Sequence, residues 1–318
     1  MPVHAFIFPG QGSQTVGMGR NLAAAFAVAR EVFEEVDETL KQRLSKLMFE
    51  GPAEELTLTE NAQPALFAHS MACLRVLERE GGHPLAEIAV IVAGHSLGEY
   101  SALAAAGAIS VGEGARLLRL RGQAMQRAVP PGEGAMAALL GVELDQAREV
   151  CADAAVGPNG REVVDIANDN GGGQVVISGH RAAVERALEL AKARGVRRAM
   201  VLPVSAPFHC ALMAPAAEVM EEALAKTELS APVVPIIANV TAAKASDPAT
   251  IRQLLVRQVT ETVRWRESVQ TMIELGVDSF IELGAGRVLS GLVKRIAPDA
   301  SACSAGAPAE IEQVLKLL

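Results

Sequence analysis

Short apolar runs alternate with longer stretches of helical periodicity along this chain, a pattern typical of an α/β protein. Residues 88–93, IAVIVA, contain no polar position, which predicts a strand buried on both faces of a parallel sheet. Residues 4–8, 233–237 and 279–283 predict further strands of the same sheet. Helices are predicted over 22–47, as more than one helix, and over 63–79, 97–106, 111–129, 251–259 and 266–275.

A second, smaller unit is predicted in the middle of the chain, after a proline-rich break at 130–132. Its pattern is strand 135–140, helix 144–155, strands 163–167 and 174–178, helix 181–194 and strand 200–204. This βαββαβ order is that of a ferredoxin-like module. We therefore expect residues 1–130 and 205–318 to form a large α/β domain and residues 131–204 to form an inserted ferredoxin-like subdomain.

The strand predicted at 88–93 runs directly into Gly94-His95-Ser96-Leu97-Gly98, which is followed by an alanine-rich helix. A sharp turn from strand to helix strains the serine backbone, and the two glycines relieve the crowding around it. This arrangement predicts a nucleophile elbow with the Ser96 Oγ exposed above the sheet, as in an α/β-hydrolase-like domain. The Leu97 N–H, at the start of the helix, is positioned to stabilise an oxyanion.

Composition narrows the possible functions. Half of the 318 residues are hydrophobic but only 3% are aromatic, which favours a helix-rich α/β enzyme over a β-sandwich. The four cysteines are far apart and indicate neither a zinc site nor a disulfide framework. No signal peptide and no long apolar span is visible, so we expect a soluble, cytoplasmic protein without a metal. The net charge of −8 argues against a general affinity for nucleic acid.

A serine nucleophile needs a base within hydrogen-bonding distance, and the chain has six histidines. His209 is the candidate base because it lies in a proline-punctuated loop that leaves the last strand of the predicted subdomain, where a cleft between domains would form. His95 adjoins the serine, but neighbours on a tight turn point apart, so we expect a structural role for it. The other four are expected to be surface or packed histidines: His4, His69, His83 and His180.

Five blocks of sequence, in this order along the chain, together resemble the malonyl-CoA:acyl carrier protein transacylases, a family that includes the acyltransferase domains of polyketide synthases. They are Phe8-Pro9-Gly10-Gln11-Gly12-Ser13-Gln14, Gly94-His95-Ser96-Leu97-Gly98-Glu99-Tyr100, Arg121-Gly122-Gln123-Ala124-Met125, Pro207-Phe208-His209, and Gln258-Val259 with Val263-Arg264-Trp265. The resemblance spans nearly the whole chain. It is more specific than the elbow alone.

The resemblance implies ping-pong transfer of malonyl from coenzyme A to the thiol of acyl carrier protein. In the family, the serine matched by Ser96 carries the acyl group as an ester and the histidine matched by His209 is its base. Backbone N–H groups at the positions of Gln11 and Leu97 form the oxyanion hole. A main-chain carbonyl at the position of Gln258, in the substrate pocket, orients the histidine, which makes a Ser-His dyad. No cofactor is implied, and we expect a monomer.

Selectivity for a carboxylated acyl group is implied by Arg121. A planar guanidinium can bind the free malonyl carboxylate through two parallel hydrogen bonds. From the pattern alone, Arg119, Arg121 and Arg127 are solvated charges on a helix, and it is the resemblance that assigns Arg121 to the carboxylate. Phe208 resembles the residue of malonyl-selecting relatives, since a ring there leaves little room for an α-methyl branch.

The sequence departs from the family pattern at three places. Thr262 and Ala285 stand where prolines are usual, and Ala62 replaces a common threonine, so the rigidity of the loops near Gln258 is in question. Asn168 and Asn170, ahead of three glycines, are expected to form the hairpin turn between two strands of the subdomain.

Two alternative functions use the same elbow. A serine thioesterase or esterase would pass the acyl group to water instead of a thiol, and Arg121 with the inserted module argues against it. A non-catalytic scaffold could keep the fold, but the retention of both Ser96 and His209 argues against that function.

Overall fold

The apolar runs of the sequence form the centre of a six-stranded sheet in a computed structural model, which describes residues 2–158 and 160–318. The strands are β1 (His4–Phe8), β2 (Ile91–Gly94), β3 (Gly134–Leu140), β4 (Val156–Gly157), β5 (Gly160–Arg161), β6 (Val164–Gly171), β7 (Gln174–His180), β8 (Arg198–Val201), β9 (Ile236–Ala238), β10 (Ala243–Ala245), β11 (Ser279–Leu283) and β12 (Ser301–Ala305).

Helices flank these strands. They are α1 (Arg20–Ala25), α2 (Ala27–Leu40), α3 (Leu44–Glu50), α4 (Ala53–Thr57), α5 (Thr59–Gly81), α6 (Leu85–Ile88), α7 (Gly98–Ala105), α8 (Val111–Arg127), α9 (Leu144–Ala154), α10 (Arg181–Ala193), α11 (Ala214–Lys226), α12 (Pro248–Gln258), α13 (Trp265–Glu274), α14 (Val288–Ile296) and α15 (Pro308–Leu315). A 3₁₀ helix spans Ala211–Met213. None of the helices in the described residues has the length and apolar character needed to span a membrane.

The large sheet has the strand order β10-β9-β2-β1-β11-β12, and every neighbouring pair is parallel except β9 with β10. The central strand β1 is buried on both faces. Phe6 and Phe8 pack into one hydrophobic core, while Ala5 and Ile7 pack into a second core on the opposite face. This two-sided burial explains the absence of polar alternation in the sequence.

Residues 134–201 carry the second sheet, of order β6-β7-β3-β8 and antiparallel throughout. Helices α9 and α10 pack together on it around a separate apolar core. In chain order this is strand, helix, two strands, helix and strand, and the sheet order is that of a ferredoxin-like module. The small strands β4 and β5 form an additional hairpin after α9. The fold is thus an α/β-hydrolase-like domain with an inserted ferredoxin-like module.

Three predicted strands have different bounds in the structure. The strand predicted at 88–93 begins only at Ile91, because Pro84 precedes a short helix, α6, that occupies its first position. The strand predicted at 233–237 is β9, displaced toward the C-terminus, and Val233 is exposed. The strand predicted at 200–204 is β8, which ends at Val201, two residues before Pro203, a residue without an N–H to donate.

The expected turn role of Asn168 and Asn170 is wrong. Both residues are buried within strand β6, and the hairpin turn is made by Gly172 and Gly173, which both have positive φ. Positive φ is cheap for glycine and costly for most other residues, so the turn shifts to the glycines. This shift leaves the asparagine side chains free to face the large domain.

Strand β6 of the small sheet is hydrogen-bonded to the segment that follows Gln258. The Asp169 N–H donates to the Val263 carbonyl at 3.0 Å, and the Val263 N–H donates to the Ala167 carbonyl at 2.9 Å. The Thr262 hydroxyl donates to the Ile166 carbonyl at 2.6 Å. Threonine at this position therefore supplies a hydrogen bond that proline could not, and the departure from the family pattern leaves the loop fixed.

Candidate active site

Ser96 lies in the turn between β2 and α7, with a backbone φ of 53°. A Cβ on Gly94 would lie 1.9 Å from the Gly98 carbonyl carbon and oxygen, and a Cβ on Gly98 would lie 2.2 Å from the Phe8 carbonyl oxygen. Only glycine fits at either position, because the start of α7 lies directly against the end of β2 and against the end of β1. The Ser96 N–H donates to the Asn239 side-chain oxygen at 2.8 Å, which holds the strained residue in place.

The imidazole of His209 lies between Ser96 and a backbone carbonyl. The Ser96 hydroxyl donates to the His209 Nε2 at 2.8 Å, and the His209 Nδ1–H donates to the Gln258 carbonyl at 2.8 Å. Because a carbonyl can only accept, it requires the proton on Nδ1 and leaves the Nε2 lone pair facing the serine. Burial and the positive charge of Arg121 lower the pKa of His209 to about 3, so the ring is a neutral base at physiological pH.

A cavity lies beside Ser96, and both residues expected to form the oxyanion hole border it. Gln11, in the loop after β1, and Leu97, at the N-cap of α7, both line the cavity beside Ser96. Within residues 2–158 and 160–318, neither N–H has a hydrogen-bond acceptor. Both donors are therefore free to bind an oxyanion that develops near Ser96.

Arg121 on α8 is a buried charge at the end of this cavity. It is 1% exposed, unlike Arg127 on the same helix, which is exposed. Its Nη1 donates to the Gln63 side-chain oxygen at 2.8 Å, and its Nη2 donates to the Gln258 side-chain oxygen at 2.9 Å and to the Ser96 Oγ at 3.2 Å. The guanidinium thus contacts the Ser96 hydroxyl, and its burial excludes the solvated-charge interpretation for Arg121.

The cavity measures about 390 Å³ and lies between the two sheets. Its polar end carries Ser96, His209 and Arg121, and its walls are largely apolar. Phe208, 8% exposed, forms part of a wall together with Met125, Met136, Leu202 and Val204. Such a pocket, apolar with a few convergent polar groups, suits a small ligand that carries a reactive or charged end.

The remaining histidines have other environments. The His95 Nε2 is hydrogen-bonded to the Asn170 side-chain oxygen at 2.9 Å, so His95 links the elbow to strand β6 and does not pair with Ser96. His69 is buried, and its Nε2 is hydrogen-bonded to the Gly306 carbonyl. His209 is the histidine that lies within hydrogen-bonding distance of Ser96 in the described part of the chain.

Sequence reasoning missed three polar residues that contact the site. Gln63 binds Arg121, Asn239 binds the Ser96 backbone, and Glu99 accepts hydrogen bonds from Asn239 and Gln258. Asn239 follows β9 directly, and β9 is the parallel neighbour of β2, so the carboxyl-end rule for parallel sheets could have found it. Glu99 lay inside the elbow motif. Gln63 carries no local signal, since it is one of many residues on the long helix α5.

Comparison with known proteins identifies the family of the chain. The family model described as an acyl transferase domain matches residues 5–305. The chain is 45% identical over 317 residues to malonyl CoA-acyl carrier protein transacylase of Escherichia coli strain K12, covering all of both chains. It superposes on acyl-carrier-protein S-malonyltransferase of Bartonella henselae with a TM-score of 0.95 and 53% identity, over 99% of each chain. A malonyl-transacylase solved in complex with a type II polyketide synthase acyl-carrier protein gives a TM-score of 0.95 at 43% identity, over 99% of this chain and 100% of that one.

The contact between Gly94 and Gly98 predicts a large stability loss for Gly94→Ala. The added methyl group overlaps backbone atoms that cannot move without separating β2 from α7, so we expect a loss of about 3 kcal/mol or more in the free energy of unfolding. Gly291→Ala is the matched control, because Gly291 is helical with open space around its Cβ position and should gain about 0.5 kcal/mol. Urea denaturation of both variants measures the difference. Equal stability of Gly94→Ala and the parent would contradict the steric argument.

Proposed function

The chain belongs to the acyl transferase family, and from that membership and the site geometry we propose that it transfers a malonyl group from malonyl-CoA to acyl carrier protein. The acceptor is the phosphopantetheine thiol of the carrier protein, and the acyl group passes through an ester on Ser96. This is the activity of an acyl-carrier-protein S-malonyltransferase, which supplies malonyl units for fatty acid synthesis.

The atoms that surround the Ser96 Oγ support this activity. The Ser96 Oγ lies 2.8 Å from a neutral imidazole nitrogen and 3.2 Å from a buried guanidinium nitrogen. In a malonyl thioester, one methylene separates the reactive carbonyl from a carboxylate. A cation adjacent to the nucleophile therefore binds the carboxylate while the carbonyl carbon lies against the Ser96 Oγ.

In the first half-reaction, the His209 Nε2 accepts the Ser96 proton as the Oγ forms a bond with the thioester carbon. The oxyanion receives hydrogen bonds from the Gln11 and Leu97 N–H groups. The tetrahedral intermediate then expels the coenzyme A sulfur, which takes the proton from His209. The Gln258 carbonyl stabilises the transient imidazolium through the Nδ1–H, in the position that a carboxylate occupies in a Ser-His-Asp triad.

The second half-reaction reverses these steps with a different thiol. The phosphopantetheine thiol gives its proton to His209, and its sulfur attacks the malonyl ester carbon. The C–O bond to Ser96 breaks, and the Oγ recovers the proton. Both half-reactions balance without a metal or any other cofactor.

Phe208 is proposed to restrict the α-carbon of the acyl group. Phe208 lines the cavity, and it immediately precedes His209 in the sequence. An additional methyl on that carbon would meet this wall, a penalty of about 1 to 3 kcal/mol. Loading of methylmalonyl-CoA should accordingly be slower than loading of malonyl-CoA, and equal loading rates would remove Phe208 from this role.

We also propose that the protein is located in the cytoplasm. Cys73, Cys151, Cys210 and Cys303 are all free thiols, which a reducing compartment maintains. Cell fractionation with immunoblotting should recover the protein with cytoplasmic markers. Recovery from a periplasmic or secreted fraction would contradict the proposal.

The covalent intermediate provides the direct test of function. After incubation with malonyl-CoA, mass spectrometry should find one malonyl group on the peptide that contains Ser96, and acyl carrier protein should discharge it faster than water does. Ser96→Ala should reduce transfer by about 10⁴-fold or more. Ser230→Ala, an exposed serine outside the cavity, should retain full activity. Discharge to water at the same rate as to carrier protein would instead identify a serine thioesterase or esterase.

Arg121→Ala tests the carboxylate site. Malonyl transfer should fall by about 30-fold or more, because losing the partner of a buried charge costs about 2 to 5 kcal/mol. Transfer of acetyl, which lacks the carboxylate, should be spared or improved. Arg127→Ala on the same helix is the control and should affect neither substrate. Steady-state kinetics with both thioesters measures the ratio, and an equal loss for malonyl and acetyl would exclude Arg121 as the carboxylate-binding residue.

A further inference from the structure

The side-chain amide of Gln258 lies between two buried, oppositely charged groups. Its oxygen accepts from the Arg121 Nη2 at 2.9 Å, and its nitrogen donates to the Glu99 Oε2 at 2.7 Å. A guanidinium can only donate and a carboxylate can only accept, so the amide has a single orientation that satisfies both neighbours. Gln258 therefore connects Arg121 to Glu99 through charge-assisted hydrogen bonds at both ends.

Glu99 has no role in the transfer steps described above, although it is 1% exposed and lies in the elbow motif. In the described residues neither Glu99 nor Arg121 has a direct ion-pair partner within 4 Å, and the Glu99 Oε1 has no hydrogen-bond partner. Burial raises the pKa of Glu99 to about 7, while the hydrogen bonds from Asn239 and Gln258 and the charge of Arg121 oppose that rise. Above that pKa Glu99 is ionised, and the Gln258 amide then lies between two buried charges of opposite sign, each of which would be costly alone.

The same carboxylate also supports the backbone of the nucleophile. The Asn239 N–H donates to the Glu99 Oε2 at 3.1 Å, and the Asn239 side-chain oxygen accepts the Ser96 N–H. The Gln258 nitrogen donates to the Ser96 carbonyl at 3.0 Å as well as to Glu99. The N–H and the carbonyl of the strained Ser96 are thus each connected to Glu99 through one intervening residue, Asn239 and Gln258 respectively.

We propose that Glu99 is a positioning residue for the acyl-carboxylate site. Through the Gln258 amide, its carboxylate balances the charge of the Arg121 guanidinium and holds it beside the Ser96 Oγ. The inference rests on the proposed function in assigning Arg121 to the carboxylate of the acyl group. Without the negative charge, the guanidinium turns toward water in the cavity and no longer lies at one place relative to the nucleophile.

Glu99→Gln is the informative variant because it keeps the shape and one acceptor oxygen but removes the charge. At pH 8, where Glu99 is ionised, we expect kcat/KM for malonyl-CoA to fall about tenfold, the size of one charge-assisted hydrogen bond. We expect kcat/KM for acetyl-CoA to fall less, because acetyl uses the Ser96 backbone that Glu99 supports but not the guanidinium, so the malonyl-to-acetyl ratio falls severalfold. Glu282→Gln is the matched control, since Glu282 is also a buried carboxylate but binds the start of α14; its loss should lower the melting temperature without changing the ratio.

A double-mutant cycle tests whether Glu99 acts through Arg121. The double variant Arg121→Ala with Glu99→Gln should have the same malonyl-to-acetyl ratio as Arg121→Ala alone. The melting temperatures should also be non-additive: the double variant should lose about 2 to 4 °C less than the two single losses combined, because it no longer buries one charge without the other. The thermal cycle needs no substrate, so it distinguishes a failure of this inference from a failure of the proposed function.

Three results would overturn the inference. An equal loss for malonyl and acetyl with Glu99→Gln would mean that Glu99 supports the elbow alone. Faster or unchanged malonyl transfer would mean that the carboxylate opposes the substrate or leaves Arg121 unaffected. Additive melting temperatures would mean that Glu99 and Arg121 are not coupled.

Discussion

Gln258 makes the hydrogen bonds on which the other parts of the active site depend. Its main-chain carbonyl orients His209, and its side-chain amide contacts Arg121, Glu99 and the Ser96 carbonyl. One residue thus places the base, the cation and the nucleophile relative to each other. Because both its backbone and its side chain are used, Gln258 works only if the segment that carries it is rigid.

The inserted module provides part of that rigidity. Strand β6 is hydrogen-bonded to residues 262 and 263, just beyond Gln258, and the Asn170 side chain binds His95 in the elbow. The module therefore does more than cover one wall of the cavity. It fixes two segments of the large domain that carry or adjoin the reacting groups, which is how a preorganised site keeps its geometry without rearranging during the reaction.

Electrostatics in the cavity follow from one buried cation that has no carboxylate in direct contact. The charge of Arg121 adds to burial in lowering the pKa of His209, so the imidazole remains an unprotonated base. Under the proposed function, the same charge attracts an anionic acyl group to Ser96. A single buried charge thus favours both the protonation state that the base needs and the class of substrate, while its own burial is compensated by the amide oxygens of Gln63 and Gln258.

Local sequence determined the features that depend on neighbours along the chain. The apolar run of β1, the glycines of the elbow and the βαββαβ order are all visible as patterns, because sterics and periodicity act over a few residues. Patterns failed where local preference competes with context. Helix α6 occupies the first position of the strand predicted at 88–93, and the asparagines expected in a turn lie inside β6. The edge strands β10 and β12 are too weakly apolar to be predicted from the sequence.

Only the tertiary structure decided how the site is assembled. Ser96 and His209 are 113 positions apart, and Glu99 and Gln258 are 159 positions apart. Such contacts depend on which strand ends meet at one edge of a sheet. The spacing of residues along the chain does not predict which strand ends these are.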